Sequence, residues 1–261
     1  VTQEVPFGLI PDLHYADAPY HRTSAGKLRE SLQTFDSLDL AFVMNLGDTL
    51  GGEHPGEDTA SLAVLGPLLA SSAHPLHHAI GNHDLTNMTK QHYMAATGMP
   101  AAHYSFRAGC YTCIVLDPNH RPDGIPYGCG DFDWEESIIP DTQLARLKHE
   151  LDAAGDGVLV FSHQNFHDEH DSRYCVANAG EVRRIIGESG NVRAVIHGHY
   201  HYGFHTVIDG VPYITAVSAY GKDEESQNAY AVVRIGVGGG IEITGYGRQP
   251  SLRLESGPDI D

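Results

Sequence analysis

Short apolar runs alternate with stretches of helical periodicity over most of the chain. Consecutive apolar residues that stop at Gly, Pro, Asp or His predict buried strands, and five such runs lie at Val5–Ile10, 40–46, 76–80, 158–161 and 192–196. Apolar residues three and four positions apart predict two helices between the first three runs; they are Leu28, Leu32, Phe35 and Leu38, then Leu62, Leu65, Leu68 and Leu69. This β-α-β-α-β order predicts a largely parallel sheet covered by helices.

The second half of the chain predicts two more helices and two antiparallel hairpins. The stretch 119–134 is rich in Pro, Gly and Asp and predicts a long loop. Leucine spacing predicts a helix capped by Asp141, and a further helix is predicted near 181–186. Asp-Gly at 209–210 and the glycine-rich stretch 236–240 each separate two apolar runs, a pattern typical of β-hairpins.

Each of the five apolar runs is followed at its C-terminal end by side chains that can ligate a metal. In an open α/β sheet, ligands bind in the crevice outside these strand ends, so residues far apart in sequence are expected to meet there. The set combines carboxylate, imidazole and amide oxygen, which suits Mn, Fe, Zn or a similar ion. The candidate ligands are Asp12, His14, Asp48, Asn82, His163, His199 and His201.

Two cations are predicted, with Asp48 as the bridge because it stands alone on its turn. The other predicted ligands are Asp12, His14 and His201 for one cation, and Asn82, His163 and His199 for the second. Two cations about 3.5–4 Å apart can hold a hydroxide and neutralise both the attacking and the leaving oxygen of a displacement. The pattern therefore predicts hydrolysis of a phosphate ester or anhydride.

His83 and Asp84 are candidate catalytic residues rather than ligands. His83 follows Asn82 directly, so its ring is expected to face the same crevice without binding metal. A histidine there can stabilise developing charge or protonate the leaving alkoxide. Asp84 is predicted to orient that ring.

Charge and composition limit the classes of molecule that this chain is expected to bind. The formal net charge of −18 repels polyanions, which argues against a nucleic-acid polymer as substrate and against a DNA nuclease. No apolar stretch approaches the ~18 residues that a membrane span needs. A single domain is predicted over the whole chain (1–261), acting on a small phosphorylated molecule, and the oligomeric state stays open. No signal peptide is visible, so a cytoplasmic location is favoured; a secreted or periplasmic one stays open because a signal could precede Val1.

The ordered motifs resemble the calcineurin-like metallophosphoesterase superfamily. They are Asp-x-His at 12–14, Gly-Asp at 47–48, Gly-Asn-His-Asp at 81–84, His163, and Gly-His-x-His at 198–201. This resemblance implies an α/β fold, a four-layer α/β/β/α sandwich of two mixed sheets flanked by helices. It also implies the metal ligands assigned above.

Two segments resemble the manganese-dependent ADP-ribose/CDP-alcohol diphosphatases within that superfamily. They are 12–17 with Arg22, and 162–178 leading to the Gly-His-x-His motif. The departure is His14, where that group often carries Gln and where general phosphatases and cyclic-nucleotide phosphodiesterases carry His. A nucleotide-type diphosphatase is therefore favoured, with a broad phosphomonoesterase or a cyclic-nucleotide phosphodiesterase as the alternative. Purple acid phosphatases are disfavoured because no tyrosine follows the Gly-Asp motif within 47–51.

Candidate substrate contacts are Tyr15, Arg22 and Asn178. Tyr15 could stack on a base or ribose and Arg22 could clamp a phosphate, although a packed aromatic and a solvated arginine are the plain alternatives. Trp134 is expected in a lid or, more simply, as a packing anchor. A non-catalytic scaffold is the hypothesis from another class, and loss of metal ligands would mark it; all the candidate ligands are present here.

Overall fold

The structure is a computed structural model that describes residues 4–16, 23–52, 57–155, 157–221, 227–236 and 239–255. The helices are α1 Thr23–Asp36, α2 Glu57–Leu69, α3 Lys90–Thr97, α4 Asp141–Ala153 and α5 Ala179–Ser189. The strands are β1 Val5–Ile10, β2 Phe42–Asn45, β3 Leu76–His78, β4 Tyr104–Ala108, β5 Tyr111–Val115, β6 Val158–Ser162, β7 Val192–His197, β8 Tyr202–Ile208, β9 Val211–Val217, β10 Ala229–Ile235, β11 Ile241–Gly247 and β12 Leu252–Leu254.

The strands form two six-stranded mixed sheets. The first has the order β12-β11-β10-β1-β2-β3, in which β1, β2 and β3 are parallel and β10 to β12 antiparallel. The second has the order β4-β5-β6-β7-β9-β8, in which the four central strands are parallel. Both predicted hairpins are confirmed: β8 pairs with β9 around 209–210, and β10 pairs with β11 around 236–240.

Apolar packing holds the two sheets face to face. Phe7 of β1 stacks on Phe42 of β2 with ring centroids 4.8 Å apart, and Phe161 of β6 meets both rings edge-on from the second sheet. Phe35 of α1 packs against the outer side of β1 at Gly8, where a side chain would collide with its ring. A second apolar cluster joins α4 and α5 to the outer face of β5, β6 and β7. The four-layer sandwich predicted from the sequence is confirmed.

Local details differ from the sequence prediction at α3 and α4. Helix α3 was not predicted because it buries Tyr93 alone and so carries no apolar stripe. Helix α4 begins with Asp141, and its N-cap is Pro140 in an extended conformation, so the prediction of Asp141 as the cap is wrong by one residue. The carboxylate still lies in the first turn, where it favours the helix dipole. Within the described residues, no helix is long and apolar enough to cross a membrane.

Candidate metal centre

The carboxyl ends of five parallel strands from the two sheets meet at one rim of the sandwich. The loops after β1 and β2 are tied together because the N–H of His14 donates to the carbonyl of Asp48 at 2.9 Å. The loop after β7 joins them because the N–H of His199 donates to Oδ1 of Asp12 at 2.9 Å. These bonds bring side chains that are up to about 190 positions apart in sequence into one cluster.

Two groups of ligand-type atoms lie within this cluster and share Asp48. Asp12, His14, Asp48 and His201 form one group, and Asp48, His163 and His199 form the other, each with its ligand atoms within 4.8 Å of one another. The two groups contain the Asp and His residues that the sequence assigns to each cation, and the ligation itself stays a prediction.

The Asp48 carboxylate lies between the two groups. Its Oδ2 is 3.4 Å from Nε2 of His14 on one side and 3.2 Å from Nε2 of His163 on the other. The Nε2 atoms of His14 and His201 approach to 3.0 Å. These atoms therefore point toward common positions from different parts of the chain, as expected for side chains that share a bound ion.

Asn82 enters the cluster through a tight turn after β3. Gly81 packs so closely on Asp48 that an added Cβ would run into the carboxylate and the backbone nitrogen of Asp48. This glycine lets the two turns touch, which holds Asn82 at the rim. Oδ1 of Asn82 is buried, and no described residue hydrogen-bonds to it.

Backbone strain is concentrated at the candidate ligands. Asp12, His14, Asp48 and His199 all have left-handed backbone, with φ of 41°, 46°, 47° and 68°. A non-glycine residue in this region costs on the order of 1–3 kcal/mol, and such residues cluster at functional sites. The left-handed backbone at the turn after each strand directs these side chains toward the cluster.

Burial and neighbouring charges shift the pKa values of the candidate ligands in different directions. Burial raises the pKa of Asp12 to about 7, although His163 opposes the shift. Burial lowers the pKa of His14 and of His199 well below the ordinary value, which keeps both rings neutral with lone pairs available. For His163, burial is outweighed by the Asp48 carboxylate, which raises the pKa to about 9.

The donor set fits divalent cations. Besides Asn82 Oδ1, the buried atoms Asp12 Oδ2 and His199 Nε2 have no hydrogen-bond partner among the described residues. Buried polar atoms are rarely left unpaired, because each costs about 1–3 kcal/mol. Nδ1 of His163 lies 2.8 Å from the Leu46 carbonyl, a contact that directs Nε2 inward and is typical of a metal-binding histidine.

His83 lies beside the cluster with its ring partly exposed. Its centroid is 4.6 Å from that of His14, and its Nδ1 is 2.7 Å from the carbonyl oxygen of Gly51. The predicted orientation of this ring by Asp84 is wrong. The Asp84 carboxylate is buried and instead accepts hydrogen bonds from the N–H groups of Leu50 and Gly81 at 3.0 and 2.9 Å.

Two of the three predicted substrate contacts have packing or hydrogen-bonding roles within the protein. Tyr15 is only 6% exposed and belongs to the main apolar core, so the plain alternative of a packed aromatic holds. Asn178 hydrogen-bonds to Ile139, accepting from its N–H at 3.0 Å and donating to its carbonyl at 2.7 Å. These bonds give the side chain a structural role, and its part in substrate binding stays a prediction. Arg22 lies outside the described residues.

Three aromatic side chains near the cluster were not predicted as site residues. Trp134 and Tyr174 meet the ring of His199 edge-on at centroid distances of 5.5 and 5.1 Å, and both are partly exposed. Tyr220 lies 5.2 Å from the ring of His14. Tyr220 follows β9, a further parallel strand that ends at the same rim, and the end of that strand is the signal that could have identified Tyr220. Trp134 comes from a long loop whose path no sequence pattern indicates.

The sequence profile of the calcineurin-like phosphoesterases matches residues 5–203, three quarters of the chain. The chain belongs to this family. It is a metal-dependent phosphohydrolase, and the matched region contains every residue of the two ligand groups.

Two sequence relatives and one solved structure are similar to this chain. Two manganese-dependent ADP-ribose/CDP-alcohol diphosphatases are similar in sequence: one from Arabidopsis thaliana, 26% identical over 76% of this chain and 80% of its own length, and one from Oryza sativa subsp. japonica, 26% identical over 77% and 78%. A dimetal phosphatase from Danio rerio has a similar fold, with a TM-score of 0.82 at 20% identity over 97% of this chain and 99% of that one.

Proposed function

We propose that this phosphoesterase hydrolyses the pyrophosphate bond of a small nucleotide-type diphosphate, of which ADP-ribose is the favoured example, and that it uses two divalent cations. The observation that carries the proposal is the sharing of Asp48 by two groups of ligand atoms. The names of the two plant relatives support the nucleotide diphosphate class and manganese as the metal.

The cations would be held by the residues of the two groups. Asp12, His14 and His201 would hold one, His163, His199 and Asn82 the other, and Asp48 both. When bound, the cations supply Lewis acidity that activates water and neutralises charge on the phosphate. The side chain of His201 is 36% exposed, so this edge of the centre is open to a substrate.

His83 is proposed as the group that acts on the leaving oxygen. Its Nδ1–H can donate to the Gly51 carbonyl, 2.7 Å away, which leaves Nε2 free to carry the transferable proton. The backbone N–H of His83 donates to Asp48, so the ring is positioned relative to the centre by the bridging carboxylate itself.

The aromatic residues beside His199 support a substrate that carries a base. Trp134 and Tyr174 are partly exposed and lie 5.3 Å apart by ring centroid. Aromatic faces at the mouth of a phosphate site suit a nucleoside, because stacking on a base contributes about 1–3 kcal/mol.

His14 supports the second candidate, a broad phosphomonoesterase or cyclic-nucleotide phosphodiesterase. Its Nε2 lies within 3.0 Å of that of His201 and 3.4 Å of Asp48, so an imidazole stands where the resembling diphosphatases often carry an amide.

A substrate panel with the manganese-loaded protein separates these activities. ADP-ribose, bis(p-nitrophenyl) phosphate and p-nitrophenyl phosphate are compared by kcat/KM, with Asp48→Asn as the inactive control. The proposal expects ADP-ribose to be the best substrate and Asp48→Asn to lose about 10³-fold or more, equivalent to about 4 kcal/mol. Preference for either nitrophenyl ester would favour the second candidate, and turnover of none of them would refute both.

A further inference from the structure

A second polar cavity lies outside the carboxyl end of β5, the strand next to β6, which carries His163 at its end. Its volume is about 380 Å³, and it opens between the start of α3, the start of α4 and the loop after β5. The polar side chains that line it are those of Lys90, His103, Asp117, His120, Thr142, Gln143 and Arg146. None of these residues has a role in the phosphohydrolase centre described above.

The charged side chains at this cavity balance one another, in a protein whose net charge is −18. Lys90 pairs with Asp117, and Arg146 pairs with Glu150. Both cations have further N–H donors beyond these pairs, and an oxyanion accepts hydrogen bonds from such donors. Two imidazoles, those of His103 and His120, also line the cavity.

The ammonium group of Lys90 is positioned by its ion pair with Asp117. Its Nζ lies 2.5 Å from Oδ2 of Asp117, and both side chains are largely buried. The backbone of Asp117 is held in turn by Gln143, whose amide accepts from the Asp117 N–H and donates to its carbonyl. An ammonium group has three N–H donors, so this pairing positions Lys90 and leaves donors for a ligand.

His103 and Arg146 add hydrogen-bonding groups that no described residue uses. Nε2 of His103 is buried and has no hydrogen-bond partner among the described residues. Arg146 donates from Nε to Glu150 at 2.7 Å, and no described residue takes its terminal Nη groups. Burial and then Arg146 lower the pKa of His103, and a bound anion would oppose that effect.

The N-terminus of α4 adds N–H donors to the same cavity, and the Asp141 carboxylate in its first turn offsets part of the positive end of the helix dipole. Pro140 and Thr142 line the cavity, and α4 runs for 13 residues from Asp141. The first N–H groups of a helix have no partner within the helix, and its N-terminus carries about half a positive charge. Oxyanions bind where such amides and basic side chains converge.

We propose that this cavity binds a small phosphate-type oxyanion. The ligand would accept hydrogen bonds from Lys90, Arg146 and His103 and would face the first turn of α4. The buried side chain of Asn119 separates the cavity from the metal centre: its amide group donates to Asp117 and to the Ile80 carbonyl, and its oxygen accepts from Gln164. The site does not depend on the proposed diphosphatase activity.

The test uses inorganic phosphate as the probe and isothermal titration calorimetry of the full chain. Phosphate is expected to bind the manganese-loaded protein in two classes, one at the metal centre and one at the cavity. Asp48→Asn is expected to lose the first class and to keep the second. In that background, Arg146→Gln and Lys90→Gln should each weaken the remaining class about tenfold, since a charge-assisted hydrogen bond contributes at least 1.4 kcal/mol.

Lys148→Gln is the matched control, because Lys148 lies on the same helix but pairs with Asp152 on the exposed face. It removes the same charge and should leave phosphate binding unchanged. Thermal unfolding checks that each variant is folded, and Arg146→Gln in the wild-type background replaces the double variant if Asp48→Asn does not fold. Loss of all phosphate binding in a folded Asp48→Asn protein, or equal weakening by Lys148→Gln, would overturn the proposal.

Discussion

Oδ1 of Asp48 accepts a hydrogen bond from the backbone N–H of His83 at 2.9 Å. One carboxylate thus uses one oxygen to position the candidate acid and the other, Oδ2, to face the histidines of both ligand groups. Asp48 therefore links the candidate metal ligands to His83, the residue proposed to act on the leaving group. Movement of Asp48 would displace His83, so the two roles must be separated by variants of His83 itself.

We expect His83→Ala to lower kcat about 10²–10⁴-fold, the usual contribution of a general acid. Metal content should stay near the wild-type value, because the ring is engaged with the Gly51 carbonyl and belongs to neither ligand group. Steady-state kinetics and elemental analysis of the same preparation measure the two effects. His205→Ala, which removes an exposed histidine of β8, is the control. Loss of metal from His83→Ala would show that this histidine is a ligand.

Trp134→Ala should raise KM for ADP-ribose by about 5- to 100-fold, because stacking on a base contributes about 1–3 kcal/mol. The KM for p-nitrophenyl phosphate should change much less, and Trp134→Phe should restore most of the loss. If both substrates suffer equally, Trp134 acts by packing on His199 and Tyr174 and has no part in recognising the base.

Asn178→Ala should destabilise the protein by about 1–3 kcal/mol, since it leaves the N–H and carbonyl of Ile139 without their partner. The KM should remain near the wild-type value. Urea unfolding and steady-state kinetics measure the two quantities. A variant with unchanged stability and a strongly raised KM would contradict this prediction and would support Asn178 as a substrate contact.

The ion pair between Lys90 and Asp117 should make stability depend on pH in the acid range. Burial alone would raise the pKa of Asp117, but Lys90 and His120 outweigh it and hold the pKa below its ordinary value of 3.8. A carboxyl group with a lowered folded pKa stabilises the protein above its unfolded pKa, and this contribution is lost as pH falls through the folded value.

Urea unfolding of wild type and Asp117→Asn between pH 6 and pH 2.5 measures that contribution. The two should differ by about 3 kcal/mol at pH 6, the cost of removing one partner of a buried pair, and the difference should shrink below about pH 4. A difference that stays constant across this range would mean that the charge of Asp117 does not stabilise the fold.

The strand ends were predictable from sequence because the signal is local. An apolar run that stops at a polar turn specifies both the strand and the residue that follows it, as for β1 with Asp12 and β7 with His199. The parallel order of the strands then brings such turns to one rim. The grouping of ligands around Asp48 follows from the same rule.

Contacts made by loops and by neighbouring turns could not be predicted in this way. Asp84 follows His83 in sequence, yet its carboxylate turns back to the amides of Gly81 and Leu50. Asn178 was predicted as a substrate contact, whereas its side chain hydrogen-bonds to Ile139, a residue 39 positions away in sequence. Such contacts depend on backbone path and not on residue type or period.

The left-handed turns at Asp12, His14, Asp48 and His199 carry a consequence for evolution and design. Glycine adopts this backbone without steric strain, so glycine at these four positions would relax the chain and remove the candidate ligands in the same step. A search for stabilising substitutions would therefore be drawn to the residues proposed to hold the cations. Thermal robustness and the proposed metal binding thus compete at this rim.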